Sequence, residues 1–173
     1  KRMSRIIDDM LFLAKSDNGL IIPEQASIEL ADVVAKLLAY YHLVADERDI
    51  RLSVSGAGNV LGDKLMIDRA VSNLLSNALR YTPVGETISV TIHEAERTVT
   101  LSVENPGGTI EPEHLDKLFY RFYRVDPARR EGSPSNAGLG LAITRSIVEA
   151  HKGRIWCTSL DGVTGFHMEF PRQ

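Results

Sequence analysis

Cysteine is almost absent from this 173-residue sequence, which contains only Cys157. A single thiol excludes an internal disulfide framework and a cysteine-based zinc site, and it is typical of a reducing compartment. Long apolar runs are also absent. No stretch approaches the roughly 20 residues that a helix needs to cross a bilayer, and no signal peptide is visible. We therefore expect a globular domain that buries its own core.

An excess of one charge is lacking too, because 20 Lys and Arg face 23 Asp and Glu, for a net charge of −3. This balance gives no strong electrostatic case for binding nucleic acid or anionic lipid.

The length fits one domain plus an appendage. The sequence lacks an initiator Met and begins in what reads as the middle of a helix, so we expect a fragment of a longer protein.

The most informative stretch is residues 63–81, DKLMIDRAVSNLLSNALRY, whose apolar residues recur at the spacing of one helix face. Off that face lie Asn73 and Asn77, one turn apart, followed by Arg80 and Tyr81. Amide oxygens are ligands that Mg²⁺ accepts together with phosphate oxygens and water. A guanidinium can neutralise phosphate through charge-assisted hydrogen bonds. The stretch predicts a site for a magnesium-bound polyanion, and the alternative is a solvated helix face that holds two Asn.

Residues 1–15 read as a separate helix with apolar residues spaced 3, 4 and 3 apart. The members of this heptad seam are Met3, Ile6, Met10 and Leu13. Because a helix this short is marginal alone, the seam predicts packing in a helical bundle. The alternative is an amphipathic helix that lies on the core of this domain. Turn-forming residues follow, and residues 18–26 read as a linker.

The remaining sequence mixes strands and helices without a regular βαβ alternation. Period-2 patterns predict strands at 27–30, 49–55, 60–61, 88–92, 99–103, 154–159 and 165–170, and helical patterns predict helices at 31–47, 112–122 and 138–151. This layout suits an α/β sandwich with helices on one face of a mixed sheet.

Three further clusters need an explanation together with the two-Asn helix. They are an Asn-Pro-Gly-Gly loop at 105–108, a Phe-rich short helix, and an Arg-bearing loop at 124–137 that ends in GLGL. A glycine-rich helix start can bind phosphate through its backbone N–H groups and the helix dipole. It can equally be a tight helix–sheet contact that tolerates no side chain.

Taken together and in this order, the four clusters resemble the catalytic, ATP-binding domain of the sensor histidine kinases of two-component systems. NLLSNALRYTP resembles the N box of that family, VENPGGTI its G1 box, LFYRFYR its F box and NAGLGLAI its G2 box. GETI, EPEHL and RFYRVDP further resemble the heavy-metal subgroup, especially copper and silver sensors. The resemblance implies the gyrase/histidine-kinase ATPase fold, a Bergerat-type α/β sandwich. It assigns residues 1–17 to the second helix of the dimerisation and phosphotransfer bundle, 18–26 to a linker and 27–173 to the catalytic domain.

The resemblance also implies roles for individual residues. Asn77, with Asn73 one turn before it, would hold Mg²⁺ against the triphosphate of ATP. Catalytic roles fall to Asn77, Arg80 and Arg124, whereas nucleotide binding falls to Asn73, Asn77, Arg80, Tyr81, Asn105, Gly107, Arg129, Arg130, Gly138, Leu139 and Gly140.

Three positions depart from the family pattern. Asn105 stands where most members have an Asp that reads the adenine amino group, and its amide oxygen can still accept that hydrogen bond. Thr109 and Asn136 replace glycines of the G1 and G2 boxes. Phe119 and Phe122 are expected to anchor the base of the lid in the core.

Asn73 also bears on the reaction, because gyrase-like ATPases carry at this place a Glu that activates water. An Asn cannot act as a general base near neutral pH, so the sequence favours phosphoryl transfer over hydrolysis. None of the five histidines carries the family's phosphoacceptor pattern, an acid directly after the His and then a nearby Pro. We interpret all five as surface or packing residues.

The resemblance therefore implies an enzyme that binds Mg-ATP and phosphorylates a histidine on its own dimerisation helices. That histidine would pass the phosphoryl group to the receiver domain of a response regulator, in a metal-responsive system. The whole protein would be a membrane-anchored homodimer of the bacterial inner membrane, with this domain in the cytoplasm and no nucleic acid partner. The alternatives are a gyrase-type ATPase or an anti-sigma-factor kinase, or a non-catalytic nucleotide-binding module, which the departures at Asn105, Thr109 and Asn136 motivate.

Overall fold

The structure, a computed structural model, describes residues 2–20, 22, 25–123 and 138–172. Its elements in chain order are α1 (Arg2–Asp17), β1 (Ala26–Glu29), α2 (Leu30–Glu47), β2 (Arg51–Gly56), β3 (Asn59–Gly62), α3 (Lys64–Tyr81), β4 (Thr87–Glu94), β5 (Thr98–Pro106), α4 (Pro112–Leu115), a 3₁₀ helix (Asp116–Phe119), α5 (Gly140–Ala150), β6 (Arg154–Leu160) and β7 (Val163–Pro171).

Five strands form one mixed sheet in the order β2-β4-β5-β7-β6, and β1 pairs with β3 in a separate antiparallel ribbon. The β2–β4 pair is parallel, and α3 lies in the long connection that such a pair requires. The other three pairs are antiparallel. Alternate residues of β4 and β5 are buried on one face, where α2, α3 and α5 pack. The predicted α/β sandwich, with helices on one face of a mixed sheet, is confirmed.

Helix α3 lies at the centre of the core. The seven apolar residues of the predicted stripe are all buried, at Ile67, Ala70, Val71, Leu74, Leu75, Ala78 and Leu79. Asp63 caps the start of the helix, since its Oδ1 accepts a hydrogen bond from the Met66 N–H at 2.9 Å. At the other end the Arg48 guanidinium donates to the carbonyl oxygens of Leu79 and Thr82. Both ends of the helix that carries the predicted site are therefore fixed.

His151 joins the end of α5 to the start of α3. Its ring is buried, its Nδ1 lies 2.7 Å from the Ile147 carbonyl oxygen, and its Nε2 accepts the Asp63 N–H at 3.1 Å. The two bonds together require the neutral tautomer with the proton on Nδ1. A Cβ on Gly62 would lie only 2.3 Å from this ring, which explains the glycine before the cap. The ring has the packing role that we expected of the histidines.

His167 lies on the sheet face that the helices leave uncovered. Its ring stacks on Trp156 with a centroid distance of 5.3 Å, and its nitrogens contact the hydroxyls of Ser102 and Thr158. Partial burial lowers the pKa of His167, and the nearby Glu104 carboxylate opposes that shift. This histidine, too, is held by packing and hydrogen bonds within the sheet.

Helix α1 lies against the domain itself, along α5 and α3. Leu13 is 2% exposed in the core, and the Asp9 carboxylate meets Arg69 of α3 at 2.7 Å. Met10 is 50% exposed, and its neighbours Ile7 and Leu11 are exposed as well. The predicted seam therefore does not form one buried face, because the domain surface covers Leu13 while Met10 points away from it. The helix lies on the core of this domain, as the alternative expectation has it. The assignment of residues 1–17 to a bundle stays a prediction.

Two smaller expectations need correction. The spacing of apolar residues in the helix at 31–47 predicts Val44 on its buried face, but Val44 is 47% exposed and the next residue, Ala45, is buried. Strand β5 continues to Pro106, so the predicted loop begins later than expected. Within the described ranges, no helix combines the length and the apolarity needed to cross a membrane.

Candidate functional site

The predicted site begins with a direct contact between α3 and the first turn of α5. The side-chain amide of Asn73 donates through Nδ2 to the Gly140 carbonyl oxygen and to Thr144 Oγ1, both at 3.2 Å. A Cβ on Gly140 would stand 4.0 Å from Asn73 Cγ, which is ordinary van der Waals contact. The structure therefore brings together two of the four sequence clusters, the two-Asn helix and the glycine-rich helix start.

Neither amide oxygen accepts a hydrogen bond from the described part of the chain, which suits a ligand of a cation. Because the NH₂ group of Asn73 faces α5, its oxygen is the end of the amide that stays available. Asn77 is half-buried one turn later, and its side chain forms no hydrogen bond with the part of the chain that the structure describes. That part also contains no group of three His, Cys, Asp or Glu side chains that could hold a metal. A magnesium ion here would depend on amide oxygens, phosphate oxygens and water, a combination that Mg²⁺ accepts.

The start of α5 offers donors for an anion. Leu139 is the N-cap residue and provides no side-chain cap, so the first N–H groups of this 11-residue helix have no side-chain partner at that position. The helix dipole adds partial positive charge at the same end. These groups lie beside Asn73, where a phosphate could meet both the helix start and a cation.

Gly138 shapes the entry into α5. Its φ of +79° lies in the left-handed region, so the helix begins at Gly140 rather than at 138 as the sequence predicted. Its carbonyl oxygen accepts the Phe122 N–H at 2.9 Å, and a Cβ on Gly138 would lie 2.8 Å from Phe122 Cα. Phe122 and Gly138, which flank the segment 124–137 in the sequence, thus contact each other directly.

The end of α3 carries two further predicted residues. The Arg80 guanidinium lies 5.8 Å from the centroid of the Tyr81 ring, and Tyr81 is 58% exposed. Arg80 is half-buried. The next residue, Thr82, is buried, and its hydroxyl donates to the Ala78 carbonyl oxygen at 2.6 Å. The structure places a cation and a phenol on the same helix end, beyond the two amides.

Asn105 lies in β5 rather than in a loop, and it is only 4% exposed. Its Nδ2 donates to the Pro106 carbonyl oxygen at 2.9 Å, which leaves Oδ1 as the free end of the amide. Gly107 follows, and its N–H donates to the Gly162 carbonyl oxygen at 2.9 Å. Asn105 lies two residues after buried Val103 in β5, so both side chains are on the helix-facing side of the sheet. Its oxygen is therefore the atom able to accept a hydrogen bond from a base amino group.

Some predicted residues lie outside the described part of the chain. They are Arg124, Arg129, Arg130 and Asn136. Just before them, Phe119 is buried and meets the Phe166 ring edge-on at 6.1 Å, as expected of a core anchor. The same expectation is wrong for Phe122, which is 55% exposed, because a φ of 62° turns the chain at this residue.

Sequence reasoning missed two residues that hold the site. Thr144 is completely buried and contacts Asn73, and Arg48, the residue after α2, caps the end of α3. A threonine within an apolar helix stripe was a usable signal for the first, whereas nothing local indicated the second. Cys157 is buried, and burial raises the pKa of its thiol to about 12, so it is inert near neutral pH.

Comparison with known proteins finds relatives along most of the chain. Residues 62–173 match the family described as histidine kinase-, DNA gyrase B-, and HSP90-like ATPase. The sensor protein CopS of Pseudomonas syringae pv. tomato is 58% identical over 137 residues, which cover 79% of this chain and 28% of CopS. The sensor histidine kinase CusS of Escherichia coli (strain K12) is 51% identical over 172 residues, 98% of this chain and 35% of CusS. The chain thus spans about a third of the length of these relatives.

Solved structures share the fold. The nucleotide-free catalytic domain of the histidine kinase ThkA matches with a TM-score of 0.75 at 25% identity, over 86% of this chain and 98% of that domain. A structure of ThkA in complex with the response regulator protein TrrA matches with a TM-score of 0.80 at 22% identity. That match covers 99% of this chain and 48% of ThkA.

Proposed function

Because this chain belongs to the family of histidine kinase-, DNA gyrase B-, and HSP90-like ATPases, we propose that it is the ATP-binding catalytic domain of a metal-responsive sensor histidine kinase. It binds Mg-ATP between α3 and the start of α5 and transfers the γ-phosphoryl group to a histidine of the dimerisation bundle. The observation that carries the proposal is the contact of Asn73 with the first turn of α5. It joins a pair of cation-binding amides to an anion-binding helix end.

Each group of the site has one task in this proposal. The amide oxygens of Asn77 and Asn73 hold the magnesium ion, which neutralises phosphate charge when bound. The start of α5, entered through Gly138, Leu139 and Gly140, receives the phosphates. Arg80 adds positive charge from the end of α3. The resemblance assigns Arg124, with Arg129 or Arg130, to the phosphates as well.

The base of the nucleotide is bound at the far end of the site. Asn105 accepts the adenine amino group through Oδ1, since its NH₂ group is already engaged with the Pro106 carbonyl. Gly107 matches a motif glycine by the resemblance and follows Asn105 closely, and Tyr81 lines the pocket near the adenine. The base is thus read by a neutral amide, in the single orientation that the Pro106 carbonyl permits.

The side chains favour transfer over hydrolysis. Asn73 has no atom basic enough to take a proton from water near neutral pH, and its NH₂ group is already bonded to α5. Phosphoryl transfer needs chiefly positioning and charge stabilisation, which the two helices can provide. The chemistry therefore suits delivery of the phosphoryl group to a nucleophile supplied by another segment.

The proposed partners follow the resemblance and the relatives. The phosphoacceptor belongs to the protein's own dimerisation helices, and the receiver domain of a response regulator takes the phosphoryl group from it; the ThkA–TrrA complex supports this second partner. The likeness to heavy-metal sensors supports a metal-responsive system. We place this domain in the cytoplasm, as part of an inner-membrane homodimer of a bacterium.

A phosphotransfer experiment tests the proposal. The 173-residue chain incubated with γ-labelled ATP and Mg²⁺ should bind nucleotide but acquire no label, because none of its five histidines carries the acceptor pattern. When the two bundle helices are supplied as a separate polypeptide, the label should appear on them. Asn77→Ala in the catalytic chain should abolish that labelling.

Other outcomes would contradict the proposal. Stable label on the 173-residue chain would show an acceptor that the sequence does not predict. Rapid steady-state hydrolysis that depends on Asn77 would indicate a gyrase-type ATPase instead. Equal nucleotide binding by wild type and Asn77→Ala would remove the assigned site and leave a non-catalytic module.

A further inference from the structure

Thr144 places a buried hydroxyl in the face of α5 that packs against the core. The residue has no exposed surface, and its neighbours on the helix are the apolar residues Ile143, Ile147 and Val148. A buried hydroxyl requires partners. It donates to the Gly140 carbonyl oxygen at 2.8 Å and accepts from Asn73 Nδ2 at 3.2 Å. The first bond is a common feature of a helical threonine, but the second connects α5 to the proposed metal site.

The two acceptors determine which way the Asn73 amide points. Gly140 offers a carbonyl oxygen, which can only accept, and the single proton of the Thr144 hydroxyl is committed to that same oxygen. An amide turned by 180° would place Oδ1 against the Gly140 carbonyl oxygen, which cannot donate, and it could bond Thr144 only if the hydroxyl proton left that carbonyl. The hydrogen-bond network therefore selects the orientation in which NH₂ faces α5 and the oxygen faces away.

We propose that Thr144 is a positioning residue that keeps the Asn73 oxygen available to the magnesium ion of bound ATP. The inference rests on the proposed function, because it assigns the pinned oxygen to that metal. Without the hydroxyl, the NH₂ group keeps only the Gly140 carbonyl, and the amide oxygen is held less firmly. The loss should appear in the part of the affinity that depends on Mg²⁺.

A solely structural role would give a different result. If Thr144 served only to tie α5 to α3, its removal would shift both helices and weaken nucleotide binding equally with and without metal. The ratio of the dissociation constants in EDTA and in Mg²⁺ separates the two roles. That ratio does not change when binding weakens uniformly.

The test compares Thr144→Val, which keeps the shape and removes the hydroxyl, with Thr144→Ser, which keeps the hydroxyl. A fluorescent ATP analogue is titrated against each full chain in Mg²⁺ and in EDTA. We expect Thr144→Val to lower the EDTA-to-Mg²⁺ ratio by about threefold to tenfold, the equivalent of one neutral hydrogen bond, and Thr144→Ser to restore it. Thr91→Val, on the uncovered face of the sheet, should leave the ratio at the wild-type value.

Several results would overturn the inference. An unchanged ratio in Thr144→Val, or failure of Thr144→Ser to restore a lowered one, would leave Thr144 a packing residue. Both results leave the proposed function intact if wild type binds the analogue in a Mg²⁺-dependent manner and Asn77→Ala does not. Wild type that shows no Mg²⁺-dependent binding would overturn the proposed function and this inference together. Urea unfolding of each variant confirms that the titrated protein is folded.

Discussion

Replacing Asn77 by alanine is expected to weaken Mg-ATP binding by about tenfold to a hundredfold. The variant removes an amide oxygen that binds a charged group, and interactions of that kind contribute about 1.5–3 kcal/mol. The fold should be unaffected, since the side chain is half-buried and forms no hydrogen bond within the described ranges. Titration of a fluorescent ATP analogue in the presence of Mg²⁺ measures the effect.

A matched control is available in Asn59→Ala. Asn59 is an exposed asparagine of β3, outside the proposed site, and its removal should leave affinity unchanged. Loss of affinity in Asn59→Ala, or wild-type affinity in Asn77→Ala, would contradict the assignment of the metal to α3.

The second large effect is expected from Gly138→Ala. A Cβ at this position would lie 2.8 Å from the Cα and 3.0 Å from the carbonyl carbon of Phe122. Because these are backbone atoms, no side-chain rotation can relieve the contact. The residue also has a φ of +79°, which side chains disfavour. We expect the free energy of unfolding to fall by about 1–3 kcal/mol, as measured in urea. Nucleotide affinity should fall as well, because Gly138 leads into the first turn of α5.

Two other glycines separate the causes of this effect. Gly162 has a φ of +77° but no atom within 4 Å of the missing Cβ, so Gly162→Ala shows the conformational strain alone. Gly108 has neither feature, and Gly108→Ala should be nearly neutral. If Gly138→Ala were no less stable than Gly162→Ala, the contact with Phe122 would have no energetic weight.

The centre of the fold could be predicted from the sequence because its signals are local. Seven apolar residues of α3 repeat at helical spacing, and the same seven are buried. Asp63 follows Gly62 directly before the apolar stripe, where an Asp predicts a helix start, and it caps α3. Both features depend on neighbours within one or two turns, and the local sequence records such contacts directly.

The features that the sequence did not show depend on contacts between distant segments. The heptad spacing of α1 predicts one buried face, but the domain surface covers Leu13 and leaves Met10 exposed. Arg48 caps a helix that begins 16 residues later, and Thr144 meets an amide 71 positions away. Phe122 resembles its buried neighbour Phe119 in sequence, yet the backbone turns there. No periodicity encodes such pairings, since tertiary packing decides them.

The candidate site was predictable in its chemistry and only partly in its geometry. The Asn residues of α3 and the glycines before α5 could be named from residue type alone. The structure adds that Asn73 touches Gly140 and that Asn105 turns its NH₂ group to Pro106. These two contacts decide which end of each amide is available, a property that residue type does not determine.

The most direct test of the central claim is a crystal structure of the chain with Mg²⁺ and a non-hydrolysable ATP analogue. We predict the metal at about 2.1 Å from Asn77 Oδ1, with the phosphates at the start of α5 and the base beside Asn105. The claim would be contradicted by a nucleotide bound elsewhere, for example in the open cavity of about 410 Å³ lined by Ser27, Ala57, Gly58, Asn59, Glu94 and Arg172. A metal that contacts neither Asn73 nor Asn77 would contradict it equally.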